Sequence, residues 1–268
     1  EEREKFNSIG MTLAGNLYQQ MLHRHASKAS CEIVFTSDAE TFLTDEKLKQ
    51  FDAILWPGCS LTIYADDWRA KKMLDIADKG FELGLPQFGS CWAAQVAVHL
   101  VGGEVVPHPG GREIGVSRRI YQTANGQHHS MMKGKPFVFD AFTSHDDYIR
   151  AIPENFTPTL CSNEWSEVQA IEIKYKNGEF WATQYHPEYN FREMGKLLLA
   201  RAEKLLKQKY FRSESEIKRM HDDFLAIEDS ACKHLLWKYG VGEGITSPAI
   251  REIEFSNWLE KFFPNLLK

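Results

Sequence analysis

Apolar residues recur along the chain with two different periods, and these periods predict alternating helices and strands. Apolar side chains three or four apart predict helices at about Asn7–His25, Asp66–Phe81 and Trp92–Leu100. Short apolar or alternating runs predict strands at Ala29–Phe35, around Leu55, just before Cys91, and at Gly115–Tyr121, Pro136–Phe142, Val168–Tyr175 and Glu179–His186. Strand–helix–strand units of this length are typical of parallel strands joined by right-handed crossovers. We therefore predict an α/β fold with an open, mostly parallel sheet and helices on both faces.

The C-terminal part of the chain predicts a helical appendage. Ser213 and Glu216 form a capping box ahead of an apolar stripe, and Gly240 ends that helix. A second helix begins at Ser247-Pro248 and carries an apolar face that consists of Phe255, Trp258, Leu259 and Phe262. We expect both stripes to pack on the preceding domain; the alternative is an exposed face that binds a second copy of the chain or another protein. The predicted division is a domain over residues 1–210 and an appendage over residues 211–268.

Composition argues against several classes of partner. The chain has 268 residues, of which 43% are hydrophobic, and this is enough for a substantial core. Its net charge of −5 favours neither nucleic acid nor an acidic membrane. No apolar run approaches the ~18 residues that span a bilayer, and no signal-peptide pattern opens the chain. We expect a soluble cytoplasmic protein with no nucleic-acid or membrane partner.

Cysteine spacing and glycine motifs argue against a metal or nucleotide. The 5 cysteines are scattered and form no Cys-x-x-Cys pair, which is typical of a reducing compartment and not of a disulfide scaffold or a structural zinc site. The chain contains neither a Gly-x-x-x-x-Gly-Lys-Ser/Thr phosphate loop nor a Gly-x-Gly-x-x-Gly fingerprint. We expect no metal and no cofactor.

Cys91 is the first candidate catalytic residue, because it lies where a strand turns through Gly89 into a helix. The unpaired N–H groups at a helix N-terminus favour a thiolate and can also bind an oxyanion. The alternative is an ordinary buried cysteine, which behaves as a small hydrophobe. A segment in the second half of the chain helps to decide between a catalytic and a structural Cys91.

A base and its orienting carboxylate lie side by side at the end of the last predicted strand. His186 and Glu188 are two residues apart, so strand geometry places them on the same side of the chain, and Pro187 between them ends the hydrogen-bond ladder. The Lys176-Asn177-Gly178 turn predicts that this strand belongs to a hairpin. An ordinary strand-ending turn is the alternative. Together with Cys91, however, the segment predicts a Cys-His-Glu triad.

These segments resemble the class I glutamine amidotransferases, the glutaminase domains related to those of GMP synthase and anthranilate synthase. Their motif Gly-x-Cys-x-Gly-x-Gln is similar to residues 89–95, and their His-Pro-Glu is similar to residues 186–188. The resemblance covers about residues 10–200 and implies a flavodoxin-like sheet with Cys91, His186 and Glu188 as the triad. Residues 51–58 resemble the strand that ends in an oxyanion-hole glycine. The remaining implied site residues are Gly58 and Trp92 as oxyanion donors, and Gln95 in the substrate site.

Three features depart from the family pattern. Ala93 replaces a glycine, and we expect its methyl group to narrow the substrate slot without removing a catalytic group. Cys59 stands where many members carry a second glycine. A flavodoxin-like glutaminase also begins with a strand that is not found before the first predicted helix, so we expect that N-terminal residues are missing from the given chain.

Residues 110–120 resemble the stand-alone, GMP-synthase-like branch of the family, which implies a small γ-glutamyl substrate and no attached synthetase. Arg112 and Glu113 have the charges that would bind the α-carboxylate and α-amino group of such a substrate; a surface ion pair is the alternative. Ser144 and His145 match a His-Asp motif that lies along the cleft in relatives, and a solvated turn is the alternative.

The resemblance implies a cysteine-dependent amidohydrolase that cleaves a γ-glutamyl amide through a thioester. One version is a glutaminase that supplies a separate ammonia-accepting enzyme, and the other is a self-sufficient γ-glutamyl hydrolase. The C-terminal stripes, if exposed, would serve a homodimer or that acceptor. Two further alternatives are a PfpI-like cysteine hydrolase, against which the His-Pro-Glu segment argues, and a degenerate glutaminase that only binds or regulates.

Overall fold

The computed structural model describes residues 2–156 and 158–267. Its strands are β1 (Ile54–Trp56), β2 (Gln87–Ser90), β3 (Glu104–Pro107), β4 (Glu113–Gln122), β5 (Val138–His145), β6 (Asp147–Ala151), β7 (Cys161–Ser162), β8 (Ala170–Tyr175) and β9 (Gly178–Thr183). Its helices are α1 (Glu2–Ser8), α2 (Ala14–His25), α3 (Asp45–Leu48), α4 (Trp68–Leu83), α5 (Trp92–Leu100), α6 (Ala124–Gln127), α7 (Phe191–Ala200), α8 (Ala202–Lys207), α9 (Glu214–Ser230), α10 (Lys233–Tyr239), α11 (Glu243–Thr246), α12 (Pro248–Arg251) and α13 (Ile253–Phe262). Short 3₁₀ turns occur at Ser130–Met132 and Pro264–Leu267. The predicted α/β fold class is confirmed.

A seven-stranded sheet in the order β1-β2-β9-β8-β7-β4-β5 forms the centre of the molecule, and β3 pairs with β6 beside it. Strands β1, β2 and β9 run parallel, whereas the other neighbouring pairs of the large sheet are antiparallel. The open sheet is therefore more mixed than the sequence pattern predicts. The parallel strands are the ones whose carboxyl ends carry the candidate triad.

The change from parallel to antiparallel pairing follows from the connections. Helix α4 joins β1 to β2 and supplies the long crossover that parallel strands require. Strands β8 and β9 are joined by only Lys176 and Asn177, and Lys176 adopts a φ of +50°, which suits a tight two-residue turn. The predicted hairpin is confirmed, and it gives the strand that leads to His186 a paired and rigid base.

Helices cover both faces of the sheet, as predicted. Adjacent residues of β9 point to opposite faces, so Phe180 packs in the cluster under α4 and α5 whereas Trp181 packs in the cluster under α2 and α13. Phe81 of α4 and Trp258 of α13 are fully or almost fully buried in these two clusters. The sheet is thus enclosed, and only the ends of its strands are left for a site.

Two N-terminal predictions differ from the structure. The predicted helix over Asn7–His25 is divided into α1 and α2, because Gly10 adopts a φ of +65° and ends the first of them. The predicted strand at Ala29–Phe35 is wrong, since this segment has no regular secondary structure. A strand needs a hydrogen-bonded neighbour, and the one strand that pairs with β1 in the described sheet is β2, not this segment.

The appendage packs on the domain, as expected from its apolar stripes. Phe255 and Trp258 of α13 lie against Phe88 of β2, and Phe224 of α9 lies against Phe191 of α7. The first predicted helix is divided into α9 and α10 at Ala231 and ends at Gly240, whose positive φ caps it. The appendage shares two hydrophobic clusters with the domain, and the division at residue 210 stays a prediction.

Candidate active site

Three adjacent parallel strands deliver the candidate catalytic groups to one edge of the sheet. Strand β1 ends just before Gly58, β2 ends just before Cys91, and β9 ends shortly before His186 and Glu188. In open α/β sheets the carboxyl ends of parallel strands are the usual place for a ligand. Gly58, Cys91 and His186 line one continuous cleft there, together with Ser144 and Arg201.

Cys91 occupies a sharp turn between β2 and α5. Its φ of +56° and ψ of −105° are unusual for a residue with a side chain, and its N–H donates to the Thr183 carbonyl at 2.6 Å. Such a conformation stores backbone strain, which is common at functional sites. Gly89 permits the turn, because a Cβ there would lie 2.3 Å from the Cβ of Ala93. The turn holds the Cys91 sulfur at the head of α5, where the side chain is 5% exposed.

His186 and Glu188 form a buried hydrogen-bonded pair beside that turn. His186 Nδ1 is 2.7 Å from Glu188 Oε1, and both side chains are almost fully buried. The backbone N–H of His186 donates to the Phe142 carbonyl at 2.8 Å, and the Tyr189 ring stacks on the imidazole with centroids 4.3 Å apart. The ring is therefore fixed from two sides, and Nε2 is left to face the sulfur.

The electrostatics of the pair favour a thiolate and an imidazolium. Burial by itself raises the pKa of the Cys91 thiol, but the charge and hydrogen bond of His186 and the charges of His145 and Arg201 outweigh it, so the pKa lies below its ordinary value. Burial by itself lowers the pKa of His186, but the charges of Glu188 and Cys91 reverse this and raise it to about 10. Both shifts stabilise the same charge-separated form.

The two expected oxyanion donors lie at the same cleft. Gly58 is so close to the triad that a Cβ at this position would be 2.7 Å from His186 Cε1 and 3.6 Å from Cys91 Cβ. Trp92 is the first residue of α5, so its N–H belongs to the first turn of that helix. Both residues line the cleft with Cys91. Their role as oxyanion donors stays a prediction.

Residues expected to bind substrate are engaged with one another. Gln95 is buried on α5 and donates to the Asp147 carbonyl at 3.1 Å. Arg112 pairs with Asp146 and donates to Ser144 Oγ at 3.0 Å, and it is 3% exposed. Its Nε is buried without a hydrogen-bond partner among the described residues. Arg112 is therefore not the exposed ion pair that was the alternative to a binding role.

Glu113 and His145 form a second buried pair close to the sulfur. His145 Nε2 is 2.9 Å from Glu113 Oε2, and its Nδ1 is 2.8 Å from the Asp147 carbonyl. Because both ring nitrogens face acceptors, both must carry protons. Burial lowers the pKa of His145, but Glu113 outweighs this and raises it above the usual value. The resulting imidazolium is one of the charges that lower the pKa of Cys91.

The structure adds three residues that sequence reasoning missed. Ser90 Oγ donates to Glu188 Oε1 at 2.9 Å, and Tyr189 supports the imidazole. Both adjoin triad residues, which is the one signal that points to them. Arg201 lies between α7 and α8, and it donates to Ser144 Oγ at 3.2 Å and to Ser60 Oγ at 3.0 Å. No sequence motif marks Arg201, because its contacts lie 57 and 141 residues away.

The expectation that the Ala93 methyl group narrows the substrate slot is not supported by its position. The residue is fully buried in the core under α5 and faces Gly89, so its methyl group does not border the cleft.

The described residues offer neither a metal site nor a membrane-spanning helix. Within residues 2–156 and 158–267, no three His, Cys, Asp or Glu side chains are grouped in a way that would hold a metal ion. Across the same residues, each helix is too short or too polar to span a bilayer.

Comparisons with known proteins agree with the geometry. Residues 13–204 match the family Glutamine amidotransferase class-I. A γ-glutamyl-L-1-hydroxyisopropylamide hydrolase from a Pseudomonas species is 27% identical, and the match covers 97% of this chain and 88% of the relative. The glutamine-hydrolysing GMP synthase of Wolinella succinogenes is 30% identical over 69% of this chain but over only 34% of its own length.

Solved structures show the same fold. A glutamine amidotransferase from Thermotoga maritima superimposes with a TM-score of 0.63 at 16% identity, over 92% of this chain and 91% of that structure. A glutamine amidotransferase from Methylobacillus flagellatus gives a TM-score of 0.63 at 14% identity, over 96% and 91% of the two chains. The family match spans well over half of the sequence and includes the strand ends that carry Gly58, Cys91 and His186. The chain therefore belongs to the class-I glutamine amidotransferase family.

Proposed function

We propose that the protein hydrolyses a γ-glutamyl amide through a thioester on Cys91. The observation that carries this proposal is the buried His186–Glu188 pair, 2.7 Å apart, at the end of the strand that adjoins the Cys91 strand. Nucleophile, base and orienting carboxylate are the three parts of a catalytic triad. The family match, and the name of the Pseudomonas relative, support a γ-glutamyl amide as the substrate class.

The first half-reaction forms the acyl-enzyme. The Cys91 thiolate attacks the γ-carbonyl carbon, a C–S bond forms, and the carbonyl oxygen becomes an oxyanion. Backbone N–H groups at Gly58 and Trp92 stabilise that oxyanion, at roughly 3 kcal/mol for each donor. As the C–N bond breaks, the His186 imidazolium gives its Nε2 proton to the leaving amine. Glu188 holds the ring in the tautomer that this transfer needs.

The second half-reaction releases glutamate. Neutral His186 takes a proton from water while the water oxygen attacks the thioester carbon. The C–S bond then breaks, and the sulfur leaves as a thiolate beside the new imidazolium. The products are glutamate and either ammonia or a free amine, and the thiolate–imidazolium pair is restored.

Arg201 fits the α-carboxylate of the γ-glutamyl group. Its guanidinium lines the cleft, and its hydrogen bonds go to two serine hydroxyls, Ser60 and Ser144. No carboxylate of the described residues pairs with it. A cation without a counterion beside the nucleophile favours an anionic substrate group, and a planar guanidinium suits a carboxylate. Arg112 stays a second candidate through its unpartnered Nε.

Glu113 remains the proposed partner of the substrate α-amino group. Its carboxylate also accepts from Thr143 Oγ1 at 3.2 Å, so His145 and Thr143 would have to share it with the substrate. Because its carboxylate is already bonded by these two residues, Glu113 is a less strongly supported substrate-binding residue than Arg201. Of the other expected residues, Ser144 lines the cleft and would adjoin the substrate, whereas Gln95 and His145 are not among the residues that line it.

A self-sufficient hydrolase fits better than a glutaminase that depends on a partner. The Pseudomonas relative, named as a hydrolase, is matched over 88% of its length, whereas GMP synthase is matched over 34%. The C-terminal stripes, which the alternative would use to bind an acceptor, are buried against the domain. A degenerate, non-catalytic module is not favoured. All three triad residues are present, and the lowered pKa of Cys91 and the raised pKa of His186 are typical of a reactive cysteine beside its base.

A mass-spectrometric screen of γ-glutamyl compounds tests the proposal. Wild-type protein, Cys91→Ala and Cys161→Ala are incubated with glutamine and a panel of γ-glutamyl amides, and glutamate and amine release are measured. Cys161 is a matched control, because it is also buried but lies against Met132, away from the cleft. We expect turnover by the wild type and Cys161→Ala, and none by Cys91→Ala. A thioester trapped by acid quench should add one γ-glutamyl group to Cys91.

The outcomes separate the alternatives. Release of amines by the isolated chain supports the hydrolase, whereas glutamine turnover that appears only with a second protein supports the partner-dependent glutaminase. Equal turnover by wild type and Cys91→Ala rules out the nucleophile.

A further inference from the structure

The C-terminal appendage reaches the backbone that carries His186. Arg251, the last residue of α12, donates from Nε to the Pro187 carbonyl at 3.1 Å and from Nη1 to the Ile245 carbonyl at 2.8 Å. Its side chain is 6% exposed. A guanidinium buried to this extent must use its donors inside the protein. One of those donors fixes the carbonyl between His186 and Glu188.

A second buried charge holds the other side of the same histidine. Glu254, on α13, is fully buried and accepts a hydrogen bond from the Tyr185 hydroxyl. Lys135 of the domain lies 3.0 Å from the same carboxylate and also donates to the Ile250 carbonyl at 2.9 Å. Tyr185 and Pro187, the two neighbours of His186 in the chain, are thus held by appendage residues three positions apart.

The backbone at this point needs such support. Strand β9 ends at Thr183, so residues 185–187 lie beyond its last ladder pair. The N–H of His186 donates to the Phe142 carbonyl there, its carbonyl accepts from the Tyr189 N–H at 3.4 Å, and Pro187 has no N–H to donate. Besides the Phe142 hydrogen bond and the Tyr189 ring, the position of the imidazole depends on the contacts of Tyr185 and Pro187. Arg251 and Glu254 supply polar contacts to these two neighbours of His186.

The surroundings of Arg251 indicate more than a charge pair. Glu252 lies 3.5 Å away, but its carboxylate is already bound by Arg24 at 2.7 Å and His25 at 2.9 Å. The charges of Glu228 and Glu188 also stabilise the Arg251 guanidinium. Arg251 is thus not required to neutralise Glu252. Its directed hydrogen bonds go to the carbonyls of Pro187 and Ile245.

We propose that Arg251 and Glu254 are positioning residues, through which the appendage holds the His186 imidazole in line with Cys91 and Glu188. This inference rests on the proposed hydrolase function, since it concerns the same triad. The alternative is that both residues only attach the appendage to the domain.

Four variants test the inference, with kcat, KM, melting temperature and the pH dependence of Cys91 alkylation by iodoacetamide as readouts. Arg251→Gln and Glu254→Gln remove the buried charges. Tyr185→Phe removes only the hydroxyl that binds Glu254. Asn257→Ala is the matched control, because Asn257 also lies on α13 but donates its side-chain hydrogen bonds, at 2.9 Å each, to the Met131 and Lys133 carbonyls and not to residues 185–188. Peptide mass spectrometry locates the alkylated cysteine.

We expect Arg251→Gln to lower kcat by about 10-fold to 100-fold, because small displacements of a catalytic group have effects of this size. KM should change little, since neither residue lines the cleft. Cys91 alkylation should shift to higher pH, because a displaced imidazolium stabilises the thiolate less. Tyr185→Phe should show the same changes to a smaller extent. Asn257→Ala should keep wild-type kcat and alkylation even where its melting temperature falls.

Two results would overturn the inference. One is a folded Arg251→Gln or Glu254→Gln with wild-type kcat and alkylation; if neither variant folds, the same result for Tyr185→Phe decides. The other is an equal loss of kcat in Asn257→Ala at equal melting temperature. If the wild type cleaves no γ-glutamyl amide, the proposed function fails separately, and the alkylation profiles still report whether the appendage positions His186.

Discussion

Ser90 and Glu188 are joined by a hydrogen bond of 2.9 Å, from Ser90 Oγ to Glu188 Oε1. The same carboxylate oxygen accepts the 2.7 Å bond from His186 Nδ1, whereas Oε2 is buried without a partner among the described residues. Ser90 directly precedes Cys91. The residue before the proposed nucleophile therefore bonds the carboxylate of the proposed triad, and this contact joins the two strand ends.

Ser90→Ala should weaken catalysis through Glu188. Loss of a hydrogen bond to a charged group costs about 1.5–3 kcal/mol, and we expect kcat to fall about tenfold or more while KM is nearly unchanged. Ser166→Ala is the control, since Ser166 is 1% exposed but its hydroxyl makes no hydrogen bond among the described residues. Steady-state kinetics on both variants check this, and equal kinetics for the two would contradict it.

Gly58→Ala should displace the imidazole of His186. The new Cβ would lie 2.7 Å from His186 Cε1, a distance that real contacts do not reach, so the ring must move. We expect kcat to fall about 100-fold, as for other small misplacements of a catalytic group. Gly242→Ala is the matched control, because a Cβ there meets no atom within 4 Å. Unchanged kcat in Gly58→Ala would show that the ring has room to adapt.

The sequence predicts those parts of the site whose placement depends on short local motifs. Cys91 follows a strand and a glycine, and His186 and Glu188 are separated by a proline at a strand end, so each placement depends on a few neighbouring residues. Parallel strands then bring these ends together without further information. Fold class and hairpin likewise follow from local patterns, and the structure confirms them.

What the sequence does not predict depends on contacts between distant segments. Arg201 meets Ser60 across 141 residues, and Arg251 meets Pro187 across 64 residues. No spacing rule connects such positions. The Ala29–Phe35 prediction fails for a related reason, because an apolar run becomes a strand only where another strand offers hydrogen bonds.

Glu188→Gln should narrow the pH range of activity. In the wild type, kcat/KM should fall at acid pH as the Cys91 thiolate gains a proton, below the ordinary pKa of a thiol, and at alkaline pH near 10 as His186 loses its proton. Burial opposes the charge on His186, and Glu188 is the largest factor that raises its pKa. Without that charge, the alkaline limb should move to lower pH. The thiolate also loses support, so the acid limb should move to higher pH.

The pH dependence of kcat/KM and of Cys91 alkylation measures both limbs. Glu193→Gln is a suitable control, because Glu193 is also a buried carboxylate but bonds Thr12 and Lys196. A profile of unchanged width in Glu188→Gln would contradict the assigned role.

Arg201→Gln should weaken binding of substrates that carry an α-carboxylate. We expect KM to rise about 10-fold to 100-fold, which corresponds to the loss of a charge-assisted hydrogen bond, with a smaller change in kcat. An analogue without the α-carboxylate, 4-aminobutyramide, should be affected little. Arg192→Gln is the control, since Arg192 is a surface arginine that pairs with Asp229. If both compounds lose affinity equally, Arg201 does not bind the carboxylate.

Lys135→Met should destabilise the whole protein, because it leaves the Glu254 carboxylate buried without its cation, and among the described residues only the Tyr185 hydroxyl still donates to it. The Lys135–Glu254 pair is 3.0 Å long, with side chains 1% and 0% exposed. Removal of one partner from such a pair costs about 3–5 kcal/mol, whereas an exposed pair contributes less than about 1 kcal/mol. Lys133→Met, which breaks the exposed 3.4 Å pair with Glu260, is the control. Urea unfolding of the two variants measures the difference, and equal free energies of unfolding would mean that solvent reaches Glu254.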